Sequence, residues 1–123
     1  FTPILKKFYQ TCQKSNENIK IEIIFISSDK SIQTYQTYFS TMPWLSLPLA
    51  AETMSISRSL STKLFINSIP TLVVLDKNGK YITNNAKSQV TSIANHLADL
   101  DTCMRLVESW KHTKSVPLEE ANL

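Results

Sequence analysis

Asn67-Ser68-Ile69-Pro70-Thr71-Leu72-Val73-Val74-Leu75-Asp76-Lys77-Asn78-Gly79-Lys80-Tyr81-Ile82 is the stretch on which the reading of the fold turns. The run at 71–75 is too short for a free-standing helix and rich in aliphatic and β-branched residues, so it reads as a buried strand. Pro70 stands at its start, where a missing N–H is tolerated and an X-Pro bond makes a cis peptide accessible. Asp76-Lys77-Asn78-Gly79 supplies a turn whose Asn and Gly accept positive φ, and Tyr81-Ile82-Thr83 offers the return strand of an antiparallel hairpin. Alone, this pattern fits an edge hairpin in many folds.

Its neighbours narrow the choice. Ile19-Lys20-Ile21-Glu22-Ile23-Ile24-Phe25-Ile26-Ser27-Ser28-Asp29, then Tyr38-Phe39-Ser40-Thr41-Met42-Pro43-Trp44-Leu45-Ser46-Leu47-Pro48-Leu49, then Ser68 to Asp76 follow in order. Together with the opening Phe1-Thr2-Pro3, Leu5 and Phe8-Tyr9, they resemble the tryparedoxin and nucleoredoxin branch of the thioredoxin-like superfamily over about residues 1–86. The resemblance implies an α/β fold: a three-layer sandwich with a mixed sheet and flanking helices, its N-terminal strand and Trp-Cys-x-x-Cys segment expected just upstream of Phe1. In that layout the missing strand lies between 19–26 and 71–75, so those two are not expected to be direct neighbours.

The implied function is thiol–disulfide exchange with protein disulfide substrates and a dithiol reductant, without a cofactor. By resemblance, the Ile69–Pro70 bond is the cis-proline, and Ile69, Pro70 and Thr71 hold an extended substrate. Trp44 either walls the substrate groove or plugs the loop from beneath. Phe1, Thr2 and Pro3 open the helix whose N-terminus supports the upstream thiolate. No catalytic residue is expected within the chain. The competing reading is a non-catalytic thioredoxin-like interaction module or a subunit of a larger assembly, and a third is a peroxidase-type relative with a single upstream cysteine.

With 123 residues, 42% of them hydrophobic and 19% charged, the chain has the composition of one globular domain with a real core. The net charge of +3 is mild and the thirteen basic residues are scattered, which argues against a nucleic-acid partner. No apolar run approaches the roughly 20 residues of a membrane span. A single glycine, Gly79, argues against phosphate-cradling loops. Cys12 and Cys103 form no C-x-x-C and have no metal-ligand spacing with His96 or His112. Two cysteines build no disulfide scaffold, which points to the cytoplasm or another reducing compartment.

Taken in order, 1–13 reads as a helix capped by Thr2, with Pro3 in its first turn and Ile4, Leu5, Phe8 and Cys12 facing the core. Cys12 is expected to be a small buried hydrophobe. The strand at 19–26 is expected to be covered on both faces. Asp29 would cap a helix over 31–42 that turns Ile32, Tyr35, Tyr38 and Phe39 inward. Residues 42–49 look too broken for helix or strand. A third helix spans 55–65. From Val90 to Trp110 helical spacing persists, with a break near 99–102 where Asp101 or Thr102 caps a second segment. This C-terminal helix departs from the family's short tail and either covers the sheet or docks on a protein partner. The domain is placed at 1–113, followed by a polar tail, 114–123, to which no structure is assigned.

Overall fold

The structure is a computed structural model and describes residues 1–16 and 20–121. Helix α1 (Thr2–Cys12) takes Phe1 as its N-cap and carries proline in its first turn. Thr2 is already inside the helix, so it does not cap; its hydroxyl instead hydrogen-bonds the Tyr38 hydroxyl at 2.6 Å. One face buries Leu5, Phe8, Thr11 and Cys12, as the helical spacing requires.

That face packs on α5 (Leu100–Lys111), which buries Cys103, Met104, Val107 and Trp110. Phe8 and Trp110 meet edge to face with ring centroids 5.9 Å apart. Trp110 Nε1 donates to Gln89 Oε1 at 2.7 Å, anchoring α5 to α4 (Ala86–Ser92). The buried Thr11 hydroxyl donates to the Leu97 carbonyl at 2.6 Å, and the Cys103 thiol approaches the same oxygen at 3.5 Å. Each large apolar side chain buried here contributes roughly 1.5–3 kcal/mol. The apolar stripe of the C-terminal helix is therefore taken up inside the domain.

The helical spacing of 90–110 is divided among the end of α4, a 3₁₀ turn (Ala94–His96) and α5. The cap of α5 is Asp99, not Asp101 or Thr102: its carboxylate accepts from the Asp101 N–H at 3.3 Å and the Thr102 hydroxyl at 2.5 Å. Those bonds, the Thr102 hydroxyl foremost, hold the Asp99 carboxyl below its ordinary value.

Strand β1 (Ile24–Phe25) pairs in parallel with β2 (Leu45–Ser46), Ile24 opposite Leu45 and Phe25 opposite Ser46. The segment at 42–49 thus contains a strand, contrary to the sequence reading, because Trp44-Leu45-Ser46-Leu47 lies between its two prolines and is free to pair. Strand β3 (Val74–Leu75) pairs antiparallel with β4 (Tyr81–Thr83). Parallel and antiparallel pairs are both present, in two separate two-stranded sheets, and β1 and β3 are not paired with each other. The fold is α/β and thioredoxin-like, with helices flanking these small sheets.

Strand 19–26 is not covered on both faces. Ile21, Ile23 and Phe25 pack on the core, whereas Ile24 is 58% exposed and Ile26 is exposed with it. Helix α3 (Ala51–Lys63) likewise buries none of its residues. Ile19 lies outside the described residues. Helix α2 (Ile32–Phe39) is capped by Ser31, whose hydroxyl accepts from the Thr34 N–H at 3.3 Å; Asp29 does not cap but accepts from the Ser27 hydroxyl at 2.8 Å. Of the four residues expected to face inward, Tyr35 is buried and stacks with Phe25, Phe39 is half-buried, and Ile32 and Tyr38 are exposed.

Helix α3 begins four residues earlier than the sequence reading placed it, with the Ala50 N–H donating to Thr53 Oγ1 at 3.2 Å. It ends in a Schellman motif: the Ile66 N–H bonds the Ser61 carbonyl at 2.9 Å and the Phe65 N–H bonds the Thr62 carbonyl at 3.4 Å. The residue after the cap takes the left-handed conformation, and here that residue is Phe65, at φ 52°. An L-residue with a side chain loses roughly 1–2 kcal/mol there, which is why glycine usually occupies the position.

The β3–β4 turn is closed by Asp76. Its Oδ1 accepts from the Asn78 and Lys80 N–H groups, each at 2.9 Å, and its own N–H bonds the Lys80 carbonyl at 2.8 Å. Gly79 takes φ +80°, while Asn78 keeps negative φ. The tail differs from its sequence reading: Val116 exchanges both backbone hydrogen bonds with Tyr81, at 2.8 and 2.9 Å, and a 3₁₀ turn (Leu118–Glu120) follows. The outer edge of β4 carries a donor and an acceptor that need partners, and Val116 supplies them. Tail residues 122 and 123 lie outside the described residues.

Thr11→Val should cost about 1–2 kcal/mol in urea unfolding, because it removes a buried donor from the Leu97 carbonyl, while Thr11→Ser should stay close to the parent. Asp76 carries a second expectation. The Lys80 N–H foremost holds its carboxyl below the usual value, so its contribution is present above the unfolded carboxylate pKa and is lost as pH falls through the folded one. Melting curves from pH 7 down to 2 should fall less steeply for Asp76→Asn than for the parent.

Candidate functional site: the loop entering β3

Between α3 and β3 the chain runs exposed through Asn67, Ser68, Ile69 and Pro70. The Ile69–Pro70 peptide is cis. Ile69 is 70% exposed, and neither its N–H nor its C=O has a hydrogen-bond partner among the described residues. Thr71, half-buried, donates its hydroxyl to the Ser68 carbonyl at 2.5 Å and closes the loop on itself. Ile69, Pro70 and Thr71 therefore belong to an exposed bend in which Ile69 carries a free backbone donor and acceptor that can pair with another chain.

Trp44 sits elsewhere. It is 6% exposed, belongs to the core, and meets Tyr9 of α1 edge to face at 5.6 Å. Its Nε1 has no partner among the described residues. No hydrogen bond or ring contact joins Trp44 to residues 69–71 among the described residues.

At the head of α1, Phe1 packs on the core, Thr2 is tied to Tyr38 and Pro3 is exposed. The first turn carries no acidic side chain, so nothing there offsets the positive end of the helix dipole. The chain's two thiols are poor nucleophiles. Both are free and buried, and burial, with Cys103 nearby, pushes the Cys12 thiol up to about 12. The Cys103 thiol is raised as well, again chiefly by burial. Among the described residues no group of three His, Cys, Asp or Glu side chains could hold a metal. His112 sits on the surface of α5 with Glu108 at 3.2 Å from its Nε2.

Two features escaped the sequence reading. A cleft of about 370 Å³ opens at the carboxyl ends of β1 and β2, lined among others by Ser28, Asp29, Lys30, Met54 and Arg58. The carboxyl ends of parallel strands are where sites gather in α/β sheets. The other is the left-handed Phe65. Its signal was present, a helix ending in a chain almost devoid of glycine, but a C-terminal motif is hard to assign without the backbone.

A thioredoxin-like family model matches residues 1–81. The chain belongs to the thioredoxin-like family, on its tryparedoxin and nucleoredoxin branch. It is 34% identical to the nucleoredoxin of Xenopus laevis over 98% of its length, and 39% identical to that of Bos taurus over 72%. It covers 26% and 20% of those two proteins. Among solved structures it superposes on tryparedoxin II complexed with glutathionylspermidine with a TM-score of 0.65 and 35% identity, covering 74% of this chain and 60% of that one. A mutant tryparedoxin I gives a TM-score of 0.66 at 29% identity, over 76% of this chain and 63% of the other. No helix among the described residues is long and apolar enough to cross a membrane.

Alkylation of native Cys12 and Cys103 by iodoacetamide at pH 8 should run more than about a hundredfold slower than that of a free thiol, and both should label at once in denaturant. Mass spectrometry of the intact protein reads the difference.

Proposed function

We propose that this chain is the body of a thiol–disulfide oxidoreductase domain whose redox dithiol precedes Phe1. The observation that carries the reading is the exposed backbone of Ile69, free of partners at the entrance to β3, in a chain that matches the family along residues 1–81. The first cysteine of the dithiol attacks one sulfur of a substrate disulfide as a thiolate; a mixed disulfide forms and the other substrate sulfur leaves, taking up a proton. The second cysteine then gives up its proton, attacks the mixed disulfide and releases the first substrate sulfur as a thiol. Two electrons and two protons have moved to the substrate, and a dithiol reductant returns them.

The chain's own residues hold and stabilise. Phe1, Thr2 and Pro3 form the amino end of α1, whose unopposed dipole favours negative sulfur. Ile69, Pro70 and Thr71 take the extended substrate, Ile69 pairing its free N–H and C=O with the substrate backbone. Trp44, in the core against Tyr9, braces α1 behind the site. The substrates are protein disulfides, the chemistry needs no cofactor, and the setting is a reducing compartment. The similar structure of tryparedoxin II is a complex with glutathionylspermidine, a low-molecular-weight thiol, which supports a reading in sulfur chemistry.

The test uses the natural polypeptide that contains this chain and its preceding segment, with insulin and dithiothreitol. Insulin reduction is expected, lost when the upstream cysteines become serine; a parent protein without turnover overturns the reading. Thr2→Asp, which places an acid in the first turn of α1, should raise the pH midpoint of the reactive thiol by roughly half a unit while leaving α1 at least as stable.

A further inference from the structure

Phe65 stands in a conformation that its side chain opposes, and the fold gains little from it in return. The bonds of the motif, from the Ile66 and Phe65 N–H groups to Ser61 and Thr62, are made by the backbone and would form equally with glycine or asparagine. The ring is 65% exposed. Its neighbours are turned the other way: Leu64 is buried and Ile66 half-buried. A strained backbone that presents an aromatic ring to water is an outlier of the kind found where a side chain serves a surface and not the interior.

Its position says which surface. Phe65 lies four residues before Ile69, so their Cα atoms are within about 14 Å of each other. These two are the most exposed large apolar side chains in the described chain. The segment from Leu64 to Pro70 contains no charged residue, with Lys63 just before it and the polar Asn67 and Ser68 between the two. Ile69 also carries the free backbone donor and acceptor that suit an extended chain.

We infer that Phe65 is a specificity residue that receives an apolar side chain of an extended protein segment next to the disulfide, and so favours protein disulfides over small charged ones. This rests on the oxidoreductase reading of the Ile69–Thr71 segment. An extended peptide held by its backbone at Ile69 alternates its side chains, and one of each pair on the near face falls toward α3, where Phe65 waits. A small disulfide bearing carboxylates finds no cation in the segment from 64 to 70 and gains nothing from the ring.

The experiment compares the parent polypeptide, including its preceding segment, with F65G, F65N and F65Y. Thermal melts are recorded alongside steady-state kinetics on insulin and on glutathione disulfide. F65G and F65N should melt about 3–8 °C higher, because the left-handed position no longer carries a ring. The same two variants should show a KM for insulin about tenfold higher with kcat unchanged, and glutathione disulfide kinetics within about twofold of the parent. F65Y should keep the parent's insulin KM. Unchanged insulin KM in F65G overturns the inference, as does an equal effect on both disulfides. So does light scattering in which the parent self-associates through this surface and F65G does not, while insulin kinetics stay the same. A parent that turns over neither disulfide overturns the oxidoreductase reading itself, and this inference with it.

Discussion

The seam between α1 and α5 is the constraint on which the rest of the structure depends. Phe8 against Trp110, and Thr11 bonded to the Leu97 carbonyl, join residues from opposite ends of the sequence. Without that seam the buried face of α1 would keep only α4, Trp44 and the edges of the two small sheets against it. The direction in which the head of α1 points, and hence the placement of Phe1, Thr2 and Pro3, follows from how its other end is clamped. The C-terminal helix thereby fixes the axis of α1 from the opposite end of the sequence.

The site itself is assembled from pieces with different mechanical character. Ile69, Pro70 and Thr71 sit on an exposed loop closed by a single internal hydrogen bond, from Thr71 to the Ser68 carbonyl. The head of α1 is anchored through Thr2 to Tyr38 and through Phe1 to the core. A rigid dipole paired with an adaptable edge suits thiol–disulfide exchange, in which the sulfur must be held in place while the polypeptide presented to it varies.

What could be read from the residues was whatever local chemistry decides. The Asp76–Gly79 turn, the proline before β3, and the helical faces of α1 and α5 were all legible, because each depends on neighbours within a few positions. The errors came where the outcome depended on distant partners. The pairing of Leu45 was decided by β1, and the docking of Val116 was decided by a bare edge on β4 some thirty-five residues earlier in the chain. The cap of α5 was missed by two positions because Asp99, Asp101 and Thr102 are all competent caps and only the backbone chooses among them. In the candidate site, the identity of the Ile69–Pro70 loop was legible from the motif, but the burial of Trp44 was not, since a tryptophan between two prolines suits a surface as well as an interior.

The bond between Tyr81 and Val116 has one more effect. A two-stranded ribbon offers two rims to any passing polypeptide, and an unpaired rim is a template for unwanted strand pairing. Val116 occupies the β4 rim, while the far side of β3 is unpaired. The β3 rim is the slot that the family layout gives to the strand expected before Phe1, and the closing residues of the chain keep the opposite rim of the hairpin shut.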